Sequence, residues 1–145
     1  MTSNRKLATG NRRHILRIID ANTNRAVEGL RVIEEVARFI LNKKLLTKQL
    51  KNMRSCLRQA AKEIDPILGR KVLKDVGRKS YTKSEKKRSS VKDVFTANAK
   101  RVQEALRVLE EFAKLSDPKL GKIYKDERFK LYAIEKKVTR ALPVS

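Results

Sequence analysis

DANTNRAVEGLRVIEEVARF, from Asp20 to Phe39, is answered later in the chain by TANAKRVQEALRVLEEFAKL, from Thr96 to Leu115. Set side by side without a gap, ten of the twenty positions are identical. They include Asn22 and Asn98, Arg25 and Arg101, Glu28 and Glu104, Arg31 and Arg107, and Glu35 and Glu111. Chance would leave about one or two in register, and a shared helical composition would add only a few more. The chain is therefore built from two copies of one unit. A fainter match of Lys51, Arg54 and Leu57 with Lys125, Arg128 and Leu131 carries the repeat into a second segment of each half.

Working outward, Ile15, Ile19, Asn22, Ala26, Ile33, Ala37 and Ile40 share one narrow face of a helical wheel. Leu45 to Ile64 reads as a second helix, stopped at Asp65-Pro66 because proline disfavours helical backbone in the residue before it. Ser90 or Asp93 can cap a third helix, which ends near Asp117-Pro118. A fourth runs from about Lys119 or Ile123 to Leu142. The expected fold class is all-α, a four-helix bundle made of two repeated helical hairpins. It forms a single helical domain over residues 1–145, with repeat one at about 13–65, a linker or loop at 66–89, and repeat two at about 90–142. The linker holds Gly69, Gly77 and a charged, Ser-rich run from Lys79 to Ser90. It reads as an ordered site loop or as a linker, and its composition favours the second.

Composition agrees with helices. The hydrophobic fraction is 40%, aromatics are 5% and Trp is absent, so the core rests on Leu, Ile, Val and Ala. The net charge of +21 attracts anions: nucleic acid, acidic membranes or phosphorylated metabolites. Much of that excess (Arg5, Lys6, Arg12, Arg13, Lys83, Lys86, Lys87, Arg88) lies in loops and at the chain's beginning, positions that read as solvated surface more often than as site. Cys56 is the sole cysteine, which excludes an internal disulfide and a cysteine-built metal cluster, and His14 is the sole histidine. No stretch approaches the roughly 20 apolar residues of a membrane span, and no apolar signal core follows the basic start. The expected location is cytoplasmic.

Polar residues recur where they are informative. Asp20, Asn24, Glu28, Arg31, Glu35 and Arg38 take the side opposite the apolar stripe, forming a ladder of opposite charges at helical spacing. A solvated face explains such a ladder; it does not explain the same letters at Glu104, Arg107, Glu111 and Lys114. Asn22 lies within the stripe, Arg25 on its flank and Gly29 one turn along. A buried Asn or Arg costs several kcal/mol without partners. A mid-helix Gly costs about 1 kcal/mol relative to Ala. Two readings remain open. One is close helix packing with the asparagines paired across the interface. The other is a pocket at the bundle centre built from Asn22, Arg25, Asn98 and Arg101, whose guanidinium forks suit phosphate. Phosphate loops, dinucleotide fingerprints, zinc helices and nucleophile elbows are all missing. Asp75-Val76-Gly77 is a short acidic turn that holds magnesium or merely caps a loop.

The string IDANTNRAVEGLRVIEEVARF, then DVG, then NAKRVQEALRVLEEFAKL, resembles the monofunctional hydroxymethylpyrimidine-phosphate kinases. These are helical domains found alone or fused ahead of thiamin-phosphate synthase. The resemblance runs from about Arg17 to Val138; the first dozen residues and the Lys79–Ser90 run depart from it. It implies phosphoryl transfer from ATP, with Mg2+, to the phosphate of 4-amino-5-hydroxymethyl-2-methylpyrimidine phosphate. By that resemblance Arg25, Arg101 and Asp75 are catalytic. Asn22, Asn24, Arg31, Arg38, Asn98, Arg107 and Gly77 bind substrate phosphates, and Asp20, Glu28, Glu35, Glu104 and Glu111 serve the metal. Thr96 replaces Asp20 and Lys100 replaces Asn24 in the second copy, so the halves need not share one task.

Two other functions fit parts of the sequence. A helical nucleic-acid binder suits the charge, yet aromatic platforms are scarce and Glu28, Glu34 and Glu35 interrupt the basic motif. A non-catalytic partner module of thiamin-phosphate synthase suits the resemblance without requiring chemistry.

Overall fold

A computed structural model describes residues 9–65 and 87–143. Helix α1 spans Thr9–Glu35 and continues into a five-residue π-helical turn, Val36–Ile40; α2 spans Lys44–Ile64, α3 Val91–Ala113 and α4 Pro118–Ala141. No strand occurs among the described residues. The all-α expectation holds.

Local chemistry sets the boundaries. At the end of α1, Leu41 N–H donates to Val36 O at 3.0 Å and Lys43 N–H to Ala37 O at 2.9 Å. Asn42 sits at φ 56°, the left-handed stop that Asn tolerates better than most residues. The π turn winds more slowly than 3.6 residues per turn, so Ile40 rotates off the stripe and is 52% exposed rather than buried. Asp65 is extended before Pro66, as expected. Both candidate caps of α3 act together. Ser90 Oγ accepts from Asp93 N at 3.1 Å, and Asp93 Oδ2 accepts from Ser89 N at 3.1 Å. In α4, Asp117 Oδ1 accepts from Lys119 N at 2.9 Å and Pro118 takes the first turn, where its missing N–H costs nothing.

The two repeated helices form the centre. α1 packs most extensively on α3, each hairpin closes on itself through α1–α2 and α3–α4, and α2 touches α4 only lightly. Ile19, Leu30 and Ile33 of α1 meet a core shared with Phe95, Leu106 and Leu109 of α3. Leu50, Leu57, Tyr124 and Leu131 seal it from the flanks. At Gly29 α1 passes close to α3. A Cβ there would stand 2.5 Å from Val102 Cγ2 and 3.3 Å from the Asn98 carbonyl oxygen. Gly29's partners Asn98 and Val102 are the counterparts of Asn22 and Ala26 in the repeat.

Candidate functional site

Each hairpin carries one buried ion pair at equivalent positions. Glu34 is 3% exposed and accepts from Arg54 Nε at 2.8 Å. Glu110 is 4% exposed, and its Oε1 accepts from Arg128 Nε at 3.2 Å and Nη2 at 2.9 Å. A carboxylate taken out of water is costly unless paired and hydrogen-bonded, so each Glu dictates where its Arg must lie. The faint match of Arg54 with Arg128 is the sequence trace of this geometry. Glu34 and Glu110 were legible as repeat identities, but their spacing gave no sign of burial.

Above the second pair lies an open hollow of about 350 Å³, lined by Gln103, Glu104, Arg107, Arg128 and Tyr132. Arg107 Nη1 bridges Glu110 Oε2 at 3.2 Å and Glu111 Oε2 at 3.0 Å. Lys114 Nζ reaches Glu111 at 3.1 Å. The hydrogen bond from Lys114, and then the charges of Lys114 and Arg107, hold the Glu111 carboxyl below the usual carboxylate range. Arg128 Nη1 donates to the Tyr132 hydroxyl at 3.2 Å. Its guanidinium lies 5.2 Å from the Phe129 ring centre and 5.9 Å from that of Tyr132. Phe129 and Tyr132 meet edge to face at 5.7 Å. The hollow thus joins two predicted residues, Glu104 and Arg107, to Arg128, marked only by the fainter repeat match, and to Gln103 and Tyr132, which differ between the halves.

The other expected residues divide. Asn22 is buried, and its Nδ2 donates to Ile18 O at 2.8 Å; Asn98 is half-buried, and its Nδ2 donates to Val94 O at 2.8 Å. Each asparagine is satisfied one turn back in its own helix rather than across the interface. At Gly29 the space expected for a ligand is filled by Val102 and the α3 backbone. The small residue there answers to helix packing, which corrects the reading of a pocket at that level. Arg25 is half-buried and Arg101 exposed. Asn24, Glu28, Arg31 and Arg38 are exposed and Glu35 half-buried, as the ladder predicted. Arg31 Nε lies 3.5 Å from Glu35 Oε1, and Arg38 stands 5.0 Å over the Phe39 ring. Asp20 departs from that face. It is 6% exposed, and burial raises its carboxyl pKa. Asp75 and Gly77 lie outside the described residues.

No group of three or more metal-capable side chains gathers among the described residues. An all-protein metal cage is therefore not built there. Magnesium ordinarily takes one or two carboxylates and completes its shell with water and substrate phosphates. Glu104, exposed at the hollow, suits that habit. No helix among the described residues is long and apolar enough to cross a membrane.

Fold and site together define an all-helical, internally repeated domain with guanidinium groups arrayed on its repeated helices. Residues 17–137 match the ThiD2 family, and the chain belongs to it. It is 43% identical over 121 residues to a thiamine-phosphate synthase of Synechocystis sp., covering 83% of this chain and 35% of that one. Similar relatives are the thiamine-phosphate synthases of Nostoc punctiforme, 43% over 123 residues (83% and 34%), and Rhodopirellula baltica, 43% over 124 residues (83% and 33%). The chain spans about a third of the length of these curated relatives. No solved structure matches it.

Proposed function

We propose that the chain transfers the terminal phosphoryl group of ATP to 4-amino-5-hydroxymethyl-2-methylpyrimidine phosphate, forming the pyrophosphate. The observation that carries the reading is family membership across residues 17–137, which spans both copies of the Asn-Arg-Glu-Arg-Glu series.

The residues suit this chemistry. An acceptor phosphate already offers an anionic oxygen, so no side chain need remove a proton. That oxygen bonds to the γ-phosphorus while the bond to the β-phosphate oxygen breaks, and ADP leaves with the electron pair. What remains for the protein is to bring two anions into line and neutralise them. The field of a +21 chain gathers them, and Arg25, Arg31, Arg101 and Arg107 supply forked donors. Glu104, with Glu28 as its counterpart in the first half, would hold magnesium beside the substrate phosphates. When bound, that ion screens charge on the transferring group.

A second reading has its own support. The relatives are named thiamine-phosphate synthases and this chain matches a third of their length, which suits a non-catalytic module that associates with such a synthase. An ADP-release assay with ATP, magnesium and the pyrimidine phosphate separates the two. The kinase reading expects ADP with the phosphate and none above background with the unphosphorylated alcohol. Equal, background release with both leaves the module reading standing.

A further inference from the structure

We propose that the hollow of the second hairpin is a ring subsite that reads an aminopyrimidine edge, the ring nitrogen and adjacent exocyclic amine shared by the pyrimidine acceptor and by adenine. The inference rests on the kinase reading above and assigns a task to one half of its site.

Three observations meet there. Gln103 lines the hollow, and its amide nitrogen is covered and has no hydrogen-bond partner. A buried donor left unmade costs about 1–3 kcal/mol, which favours turning the covered amide toward the open hollow, where an acceptor from outside the chain can meet it. A turn of the amide presents that N–H to a ring nitrogen. The carbonyl of the same amide accepts from the exocyclic amine, and Glu104, next in sequence and exposed on the same hollow, stays with the magnesium and phosphates. Tyr132 supplies an aromatic face. Its hydroxyl is held by Arg128, its ring is packed against Phe129, and Arg128 is anchored by buried Glu110. A ring fixed in this way stacks on a heterocycle at little entropic cost.

The first hairpin lacks this chemistry. By the repeat, Val27 stands in place of Gln103 and Arg58 in place of Tyr132, while Glu28, Arg31 and Arg54 keep their counterparts. The amide donor and the aromatic face are gone, and one more guanidinium is present. Divergence at these two positions splits the labour: the second half reads the ring and the first favours phosphates.

Calorimetric titration of the full chain with AMP, IMP, the pyrimidine phosphate and inorganic pyrophosphate tests this. IMP reverses the donor and acceptor of the adenine edge. The expected result is that AMP or the pyrimidine phosphate binds at least about tenfold more tightly than IMP and pyrophosphate. Gln103→Leu should erase about tenfold of that affinity without changing pyrophosphate binding. Gln103→Glu, which keeps the shape and removes the donor, should do the same if the Leu variant folds poorly. Loss confined to AMP assigns the subsite to nucleotide; loss confined to the pyrimidine phosphate assigns it to the acceptor. The proposal is overturned if neither amino-substituted ligand binds the wild-type chain, if Gln103→Glu leaves both affinities unchanged, or if pyrophosphate weakens equally. Ring binding with this pattern but no ADP release would sink the kinase reading alone. ADP release with unchanged affinities would sink the subsite alone.

Discussion

Arg54 reaches from α2 to the buried carboxylate of Glu34 on α1 at 2.8 Å, and Arg128 repeats the contact to Glu110 in the other hairpin. The side chains of the first pair are 11% and 4% exposed, so neither charge has water in reserve. Removing one partner strands the other. Arg54→Ala should therefore destabilise the fold by about 3 kcal/mol, whereas replacing both by Met should recover most of the loss. Urea unfolding of the two single variants and the double variant measures this. A double variant no more stable than the singles would mean that the pair does not act as a unit.

Gly29 makes a prediction against helix propensity. Ala is favoured over Gly within a helix by about 1 kcal/mol. A Cβ at position 29 would nonetheless meet Val102 Cγ2 at 2.5 Å, and a β-branched side chain cannot swing aside as a lysine can. Gly29→Ala should cost about 1–2 kcal/mol net through overpacking. In Gly29→Ala/Val102→Ala the loss should be smaller than the sum of the two singles, as read from thermal unfolding. Simple additivity would place the close approach elsewhere.

Much of this was legible because the repeat supplies two readings of each position. The helix boundaries followed from Pro66, Ser90 and Asp117, whose capping and stopping effects are local. The π turn escaped because a helical wheel assumes one period, and Ile40 keeps that period in sequence while leaving it in space. Glu34 and Glu110 escaped because a glutamate beside another glutamate reads as surface. The arginine that buries each comes from the next helix, 20 residues on for Glu34 and 18 for Glu110. Asp20 reads as exposed because its helical spacing puts it in line with the charged ladder, whereas the fold buries it. Gln103 and Tyr132 carry no repeat signal, because they are residues by which the halves differ.

Cys56 on α2 reports the light contact with α4. Burial raises its thiol pKa first, and the carboxylate of Glu127, which also accepts from the thiol, adds to the rise. A raised pKa means less thiolate at a given pH and slower alkylation. Glu127→Gln removes a negative charge, so the pH profile of iodoacetamide labelling should move to lower pH and the rate at pH 8 should rise. An unmoved profile would show that Glu127 does not face the thiol in solution.

Arg25 and Arg101 hold equivalent positions on the two central helices, and the kinase reading gives both a share of the charge developing in transfer. Losing one preorganised donor typically costs about 10²–10³ in turnover. Arg25→Ala and Arg101→Ala should each lower kcat by at least about tenfold, and exposed Arg101→Ala should do so with the unfolding midpoint near that of the parent. Unchanged kcat in both would reduce these arginines to scaffold.

The identity of the product tests kinase activity most directly. Phosphorus NMR of the chain incubated with ATP, magnesium and the pyrimidine phosphate should show the monoester resonance replaced by the coupled doublets of a diphosphate ester, in step with ADP. A monoester signal that persists while ATP stays intact, or gives way only to inorganic phosphate, would contradict it.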